Sequence, residues 1–384
     1  MGNLLLGTIF LTPIIPAIFD FGFEESKVIF FILAISAAGL IWVMKSWNKL
    51  KIEWTDLKLA SLFFTGALFL TSVTGMDLKS SFLGKDPYFQ GIIFYAYLFL
   101  FSLMVSTIRL ELKKVTTVLA LSSLIVSILA IVQALQLYIL NMDIPNYAGR
   151  VVSTFGQPNL YAGFLIMSVP FIYFGMQKFN WKRFYLVCLT LSGIAIVISA
   201  SRISIILLFG FLVFPLFKNL KGKLLLGVAG FFVILSIIFF FQKEILQPKS
   251  SEWLFHNAPE KRVIFWPVLL EQYSKRWVQG YGLENIDIAF ARYERFHEQR
   301  SPAYYGIKNL IVDRAHNYIL DLLIFSGIFG TIIWILLVVS LFRKAKGVLL
   351  MSLVIYLSWI QLQNQSVVHL MYFWLAAGLI DQES

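Results

Sequence analysis

The sequence predicts an all-α, polytopic membrane protein with about twelve transmembrane helices and one long, partly helical extracytoplasmic loop. Three observations lead there. The chain of 384 residues is 59% hydrophobic and only 14% charged, with a mean hydropathy of +0.78, whereas a soluble domain is about one quarter charged and under one half apolar. The apolar residues are gathered into uncharged runs, and roughly 20 residues at a rise of 1.5 Å cross a hydrocarbon core. The basic residues between those runs fall mainly into alternate loops, as expected where positive charge stays on the cytoplasmic side.

The runs lie at 4–19, 28–44, 59–75, 89–108, 115–138, 158–177, 184–201, 203–217, 224–241, 317–342, 347–361 and 366–380. The first lacks a basic leader and an Ala-x-Ala site, so it reads as a retained span. Residues 184–217 carry one charge, Arg202. As a single helix they would reach about 51 Å, too long for a core of about 30 Å, and so predict a hairpin. The string Gln361-Leu362-Gln363-Asn364-Gln365 predicts a second turn within 347–380. Five short loops, beginning with Lys45, Lys49, Lys51 and Lys58, hold 16 of the 32 basic residues, and the opposite loops hold Lys27, Lys79, Lys85, Arg150 and Arg202. That asymmetry predicts cytoplasmic termini.

The division expected is therefore 1–241 for nine helices, 242–316 for the long loop and 317–384 for three more helices. The loop contains Val263, Trp266, Leu269, Leu270 and Tyr273 at helical spacing, and its aromatic content argues for a folded cap over the helix ends. A net charge of +11 is explained by membrane orientation rather than nucleic acid. The single cysteine, Cys188, excludes an intrachain disulfide framework. No Cys/His cluster has zinc spacing, no Asp-x-Asp pair suggests a metal, and no cofactor motif is present.

The residues able to carry chemistry crowd the extracytoplasmic side. Arg202 follows Ser199-Ala200-Ser201 at a hairpin tip, where it is either a snorkelling anchor or an anion ligand. Arg262 opens the amphipathic segment, and its guanidinium matches phosphate oxygens as a fork. His316, in Asp313-Arg314-Ala315-His316-Asn317-Tyr318, titrates near neutral pH and could move a proton, or could be structural. Asp321 lies one turn inside an uncharged span, where a carboxylate normally has a partner. Being about 140° around the helix from His316, it either pairs with Arg314 or caps the site. Ser153-Thr154-Phe155-Gly156-Gln157-Pro158-Asn159 forms a turn and a helix start, and Gln157 and Asn159 could also bind a sugar. Gly280-Tyr281-Gly282 reads as a turn rather than a phosphate loop. His256 and His297 have no partner pattern, and His369 reads as a packing residue.

Four motifs in chain order resemble the O-antigen ligase and polymerase superfamily of bacterial envelope enzymes. They are Thr154-Phe155-Gly156-Gln157-Pro158-Asn159, Ser201-Arg202, Arg262-xxx-Trp266 with Gly280-Tyr281-Gly282, and Arg314-Ala315-His316-Asn317-Tyr318-xx-Asp321 followed by Gly327 and Gly330. The resemblance implies a GT-C-type lipid-donor glycosyltransferase fold in the bacterial inner membrane, acting without metal. The donor would be a glycan on undecaprenyl diphosphate, and the acceptor lipid A core, a growing polysaccharide or a protein. Arg202 and Arg262 would clamp the diphosphate, with Arg276 or Arg314 able to share that task. His316 would orient or deprotonate the acceptor hydroxyl, and Gln157, Asn159, Asn317 and Asp321 would support the sugar. A polymerase or protein O-oligosaccharyltransferase is the alternative within the superfamily. A lipid-linked glycan flippase is the alternative outside it, disfavoured by the absence of repeated halves.

Overall fold

The computed structural model describes residues 1–46, 52–213, 258–290 and 312–383. Every regular element among the described residues is helical. In chain order these are α1 (Gly2–Leu11), α2 (Phe23–Ser46), α3 (Asp56–Val73), α4 (Leu78–Leu83), α5 (Ile92–Ile108), α6 (Leu112–Ala134) and α7 (Pro158–Lys178). There follow α8 (Lys182–Ile198), α9 (Arg202–Val213), α10 (Ala258–Lys275), α11 (Tyr318–Lys344), α12 (Gly347–Ile360) and α13 (Val367–Glu383). A π-helical turn, Leu135–Ile139, extends α6. Among the described residues, five helices are long and apolar enough to cross a membrane: Phe23–Lys45, Asp56–Val73, Leu112–Ile139, Pro158–Lys178 and Tyr318–Lys344. The expected span at 224–241, together with His256 and His297, lies outside the described residues.

Local chemistry sets the helix starts. Thr55 caps α3 by accepting from Lys58 N at 3.2 Å, Asp77 caps α4 through Ser80 N at 3.3 Å, and Pro158 occupies the first turn of α7, where a missing N–H does no harm. Both expected hairpins form. Residues 199–201 turn α8 into α9, with Ala200 at φ +52°, and residues 361–366 turn α12 into α13.

Three expectations change. The first run, expected over 4–19, is helical only to Leu11, because Pro13 and Pro16 cannot continue the hydrogen-bond ladder. The run at 317–342 is one apolar stretch in sequence but is broken in space at Gly327, with φ +62° and ψ −165°. In the amphipathic helix α10 the expected Leu269 is buried and Trp266 and Tyr273 pack partly buried against the core, but Leu270 is half exposed and Val268 and Gln272 are buried instead.

In the packing, α11 runs along α3, α13 along α5, and α6, α7 and α8 form a mutually packed group that α12 joins through α7. From Val367 to Asp381 α13 is buried on every side, as befits a helix apolar all round. Glycine permits one close approach here: a Cβ on Gly163 would stand 2.3 Å from the Trp359 ring and 2.6 Å from His369 Nε2. His369 is a packing residue, stacked on Trp359 at 4.3 Å and accepting from Ser366 N at 2.9 Å. One end of the assembly is clasped by Lys58 and Asp381 at 3.0 Å, with Thr55 and Ser106 also donating to Asp381. The opposite end carries His316. There the amino ends of α2, α5, α7, α9, α11 and α13 are joined by the contacts described next, so the positive ends of their dipoles share one rim.

Candidate functional site

The loop into α11 is gripped from both sides. Ala315 N donates to Asp321 Oδ1 at 2.7 Å, and Trp266 Nε1 of α10 donates to Ala315 O at 2.7 Å. His316 follows with φ +55° and is half-buried; a non-glycine residue in this region is held there by its surroundings. Asn317 ends the loop as the α11 cap, accepting from Leu320 N at 3.0 Å and donating to Gln361 O at 3.2 Å. Asp321 thereby ties the loop to the first turn of α11, and its charge also acts on Arg314.

Arg314 is turned inward. Its guanidinium forms a buried ion pair with Glu284, donates to Gln90 Oε1 at 3.3 Å and lies over the rings of Tyr88 at 4.7 Å and Phe325 at 5.0 Å. Burial opposes its charge, but Glu284 and Asp321 outweigh that effect and raise its pKa above the ordinary arginine value. Arg276 is held at the turn after α3, donating to Thr74 O at 2.9 Å and to Met76 Sδ. Arg262 stands near the start of α10, and its side chain lies outside the described residues.

Gly280-Tyr281-Gly282 is a backbone splice. Tyr281 N donates to Ile324 O at 2.7 Å and Gly282 N to Phe325 O at 2.9 Å, while Ile328 N donates to Trp277 O at 2.7 Å. The segment thus satisfies backbone groups that the α11 break releases, which is what permits irregular backbone within an apolar span. A Cβ on Gly280 would lie 2.6 Å from Gly327 N, so only glycine allows the splice.

A second group forms at the amino ends of α7 and α9. Arg150 donates from Nε to Ser199 O at 3.0 Å and from Nη2 to Asn159 Oδ1 at 3.2 Å. Burial lowers its pKa, and the charge of Arg202 contributes in the same direction; Arg150 thus bonds the turn that leads into Arg202. Arg202 itself is exposed. Among the described residues neither has an acidic partner within ion-pair distance. Gln157 is half-buried at the N-cap of α7, and its side chain makes no capping bond to the first turn. The preceding loop is anchored by Lys27, which donates to Thr154 O at 2.6 Å and lies 5.0 Å from the Phe155 ring centre. Glu24, beside it, accepts from Val367 N at 2.8 Å.

The carboxyl end of α12 joins the two groups. Asn317 reaches Gln361 O, and Ser204 Oγ, one half-turn beyond Arg202, accepts from Trp359 Nε1 at 3.1 Å. The residue after His316 and the first turn of the helix that Arg202 begins are therefore both bonded to the end of α12. Two participants escaped the sequence reading. Arg150 was visible only as one of five cations in short loops of its face, a signal that could have singled it out. Glu284 had no local signal, since its partner lies 30 residues away. Arg150→Ala is expected to release Asn159 and Ser199 together and to lower the thermal midpoint by several degrees, a loss of about 1–3 kcal/mol for charge-assisted hydrogen bonds. Unfolding in detergent, followed by intrinsic tryptophan fluorescence, measures it.

Comparison with known proteins covers the same region. No curated protein matches the chain significantly. Residues 184–335 match the family described as O-antigen ligase, a span that takes in Arg202, the splice, Arg314, His316, Asp321 and the α11 break. That match supports a likeness to the O-antigen ligase and polymerase superfamily over this part of the chain.

Proposed function

We propose that the protein transfers a glycan from a polyprenyl diphosphate carrier, undecaprenyl diphosphate by resemblance, to an acceptor hydroxyl on the extracytoplasmic side of the bacterial inner membrane. The observation that carries this reading is the pair Arg150 and Arg202, the first bonded to the turn that leads into the second. Two cations without an acidic partner among the described residues, set at helix amino ends, call for an anion with more than one charge. A diphosphate at the membrane surface supplies it.

In this reading the acceptor oxygen attacks the anomeric carbon, the bond from that carbon to the diphosphate breaks, and the carrier diphosphate leaves with the electron pair. Arg202, aided by Arg150 and by Arg262 from the start of α10, stabilises the charge that develops on the leaving phosphate. His316 takes the proton from the acceptor hydroxyl. Asn159 and Gln157 stand where the first sugar would lie, while Asn317 and Asp321 hold the His316 loop. Arg276 and Arg314, whose visible bonds are to protein, shape the wall.

The test is transfer in membranes charged with lipid-linked donor. Arg202→Ala is expected to lower the rate by about 100-fold or more, and Arg202→Lys to restore only part of it, since an ammonium cannot match the fork. Wild-type product from Arg202→Ala would overturn the reading. Gel analysis of the same cells separates the two superfamily reactions: chains accumulating on the carrier mark a ligase, and loss of chain elongation marks a polymerase.

A further inference from the structure

We propose that Glu284 is a positioning residue for His316: through its ion pair with Arg314, the segment following the splice sets where the imidazole stands. The inference rests on the reading of His316 given above and extends it to a residue that never meets substrate.

One carboxylate oxygen of Glu284 ties several parts of the rim together. It pairs with Arg314, two residues before His316, and accepts from Gln90 N at 3.2 Å. Gln90 in turn donates through Nε2 to Gln365 O at 2.8 Å, in the turn between α12 and α13. The stretch before α11, the entry to α5 and the α12–α13 turn are thus referred to one atom. Both partners of the pair are almost fully buried, with 4% and 5% of their side chains exposed.

A buried ion pair is a poor device for stability. Well-packed apolar residues of the same volume often do as well or better, because taking two charges out of water offsets most of their attraction. What such a pair does supply is a defined position. The Arg314 guanidinium lies over the rings of Tyr88 and Phe325, and the next residue, Ala315, is pinned through both its N–H and its carbonyl. His316 then emerges in a left-handed conformation, uncommon for a residue with a side chain. An imidazole anchored in this way has little freedom to drift, and displacement of a reacting group by about 1 Å lowers a rate by about 100-fold.

The experiment compares Glu284→Asp, which keeps the charge but draws it back, in the wild-type and His316→Ala backgrounds, using full-length protein in lipid nanodiscs and a lipid-linked donor. In the wild-type background we expect at least a tenfold fall in kcat with the donor KM within about twofold, the pattern of a lost transition-state contact. In the His316→Ala background the same substitution is expected to change the residual rate by less than twofold, because the ring it places is gone. Should Glu284→Asp fail to accumulate, Arg314→Lys supplies the same comparison. Equal losses in both backgrounds, or a lowered thermal midpoint with kcat unchanged, would overturn the positioning role while leaving the site reading intact. Full turnover by His316→Ala alone would overturn the site reading, and this inference with it.

Discussion

Replacing His316 with asparagine is expected to lower glycan transfer by about 100- to 10,000-fold, the range that a positioned acid or base contributes, while the protein still inserts and accumulates. Asparagine is the informative choice because the residue sits at φ +55°, and asparagine tolerates that region better than alanine does. The loop keeps its other anchors, the Ala315 amide on Asp321 and the Ala315 carbonyl on Trp266, so the change removes the imidazole and little else. Transfer from lipid-linked donor, normalised to protein detected by immunoblot in the same membranes, measures the effect. Undiminished transfer would remove His316 from the chemistry.

The second large effect is on folding. Gly327→Ala is expected to destabilise the protein by about 3–5 kcal/mol, a large part of the 5–15 kcal/mol that a domain commonly has. Backbone at φ +62° and ψ −165° belongs to a region that is essentially restricted to glycine, and forcing another residue there costs about 1–3 kcal/mol. A Cβ would also stand 2.2 Å from Val278 O and 2.8 Å from Gln279 N. Those are backbone atoms of the splice, so relieving the clash pulls Trp277 O from Ile328 N and leaves polar groups bare inside an apolar span. Gly66→Ala is the control. It lies inside α3 with no atom near the added methyl, and is expected to be neutral or stabilising by up to about 1 kcal/mol. Thermal midpoints in detergent separate the two.

Much of the architecture was readable from one-dimensional pattern. The Arg202 hairpin followed from helix length, since no single helix of residues 184–217 fits a bilayer. The turn at 361–366 followed from an interruption of amides. The order of the motifs puts His316 and Arg202 on one side as an expectation, and in the structure Asn317 and Ser204, which lie next to them in sequence, bond the end of α12. Other features had no such trace. Gly327 lies in an uninterrupted apolar run, and the break there exists because residues 277–282 supply replacement hydrogen bonds from elsewhere. The final run looks like any lipid-facing span, yet α13 is enclosed from Val367 to Asp381; a leucine against lipid and a leucine against protein have the same hydropathy.

Hydropathy and charge are properties of neighbouring residues, so the chain alone decided the helical class and the apolar runs that form its long helices. Pairing is different. Glu284 with Arg314, Gln90 with Gln365 and Arg150 with Ser199 join segments that meet only when helices pack. Each is specified by the shape and desolvation of the assembled rim. Only the folded molecule could turn Arg314 inward, bond Arg150 to the turn before Arg202 and commit the glycine pair of the long loop to mending a broken helix.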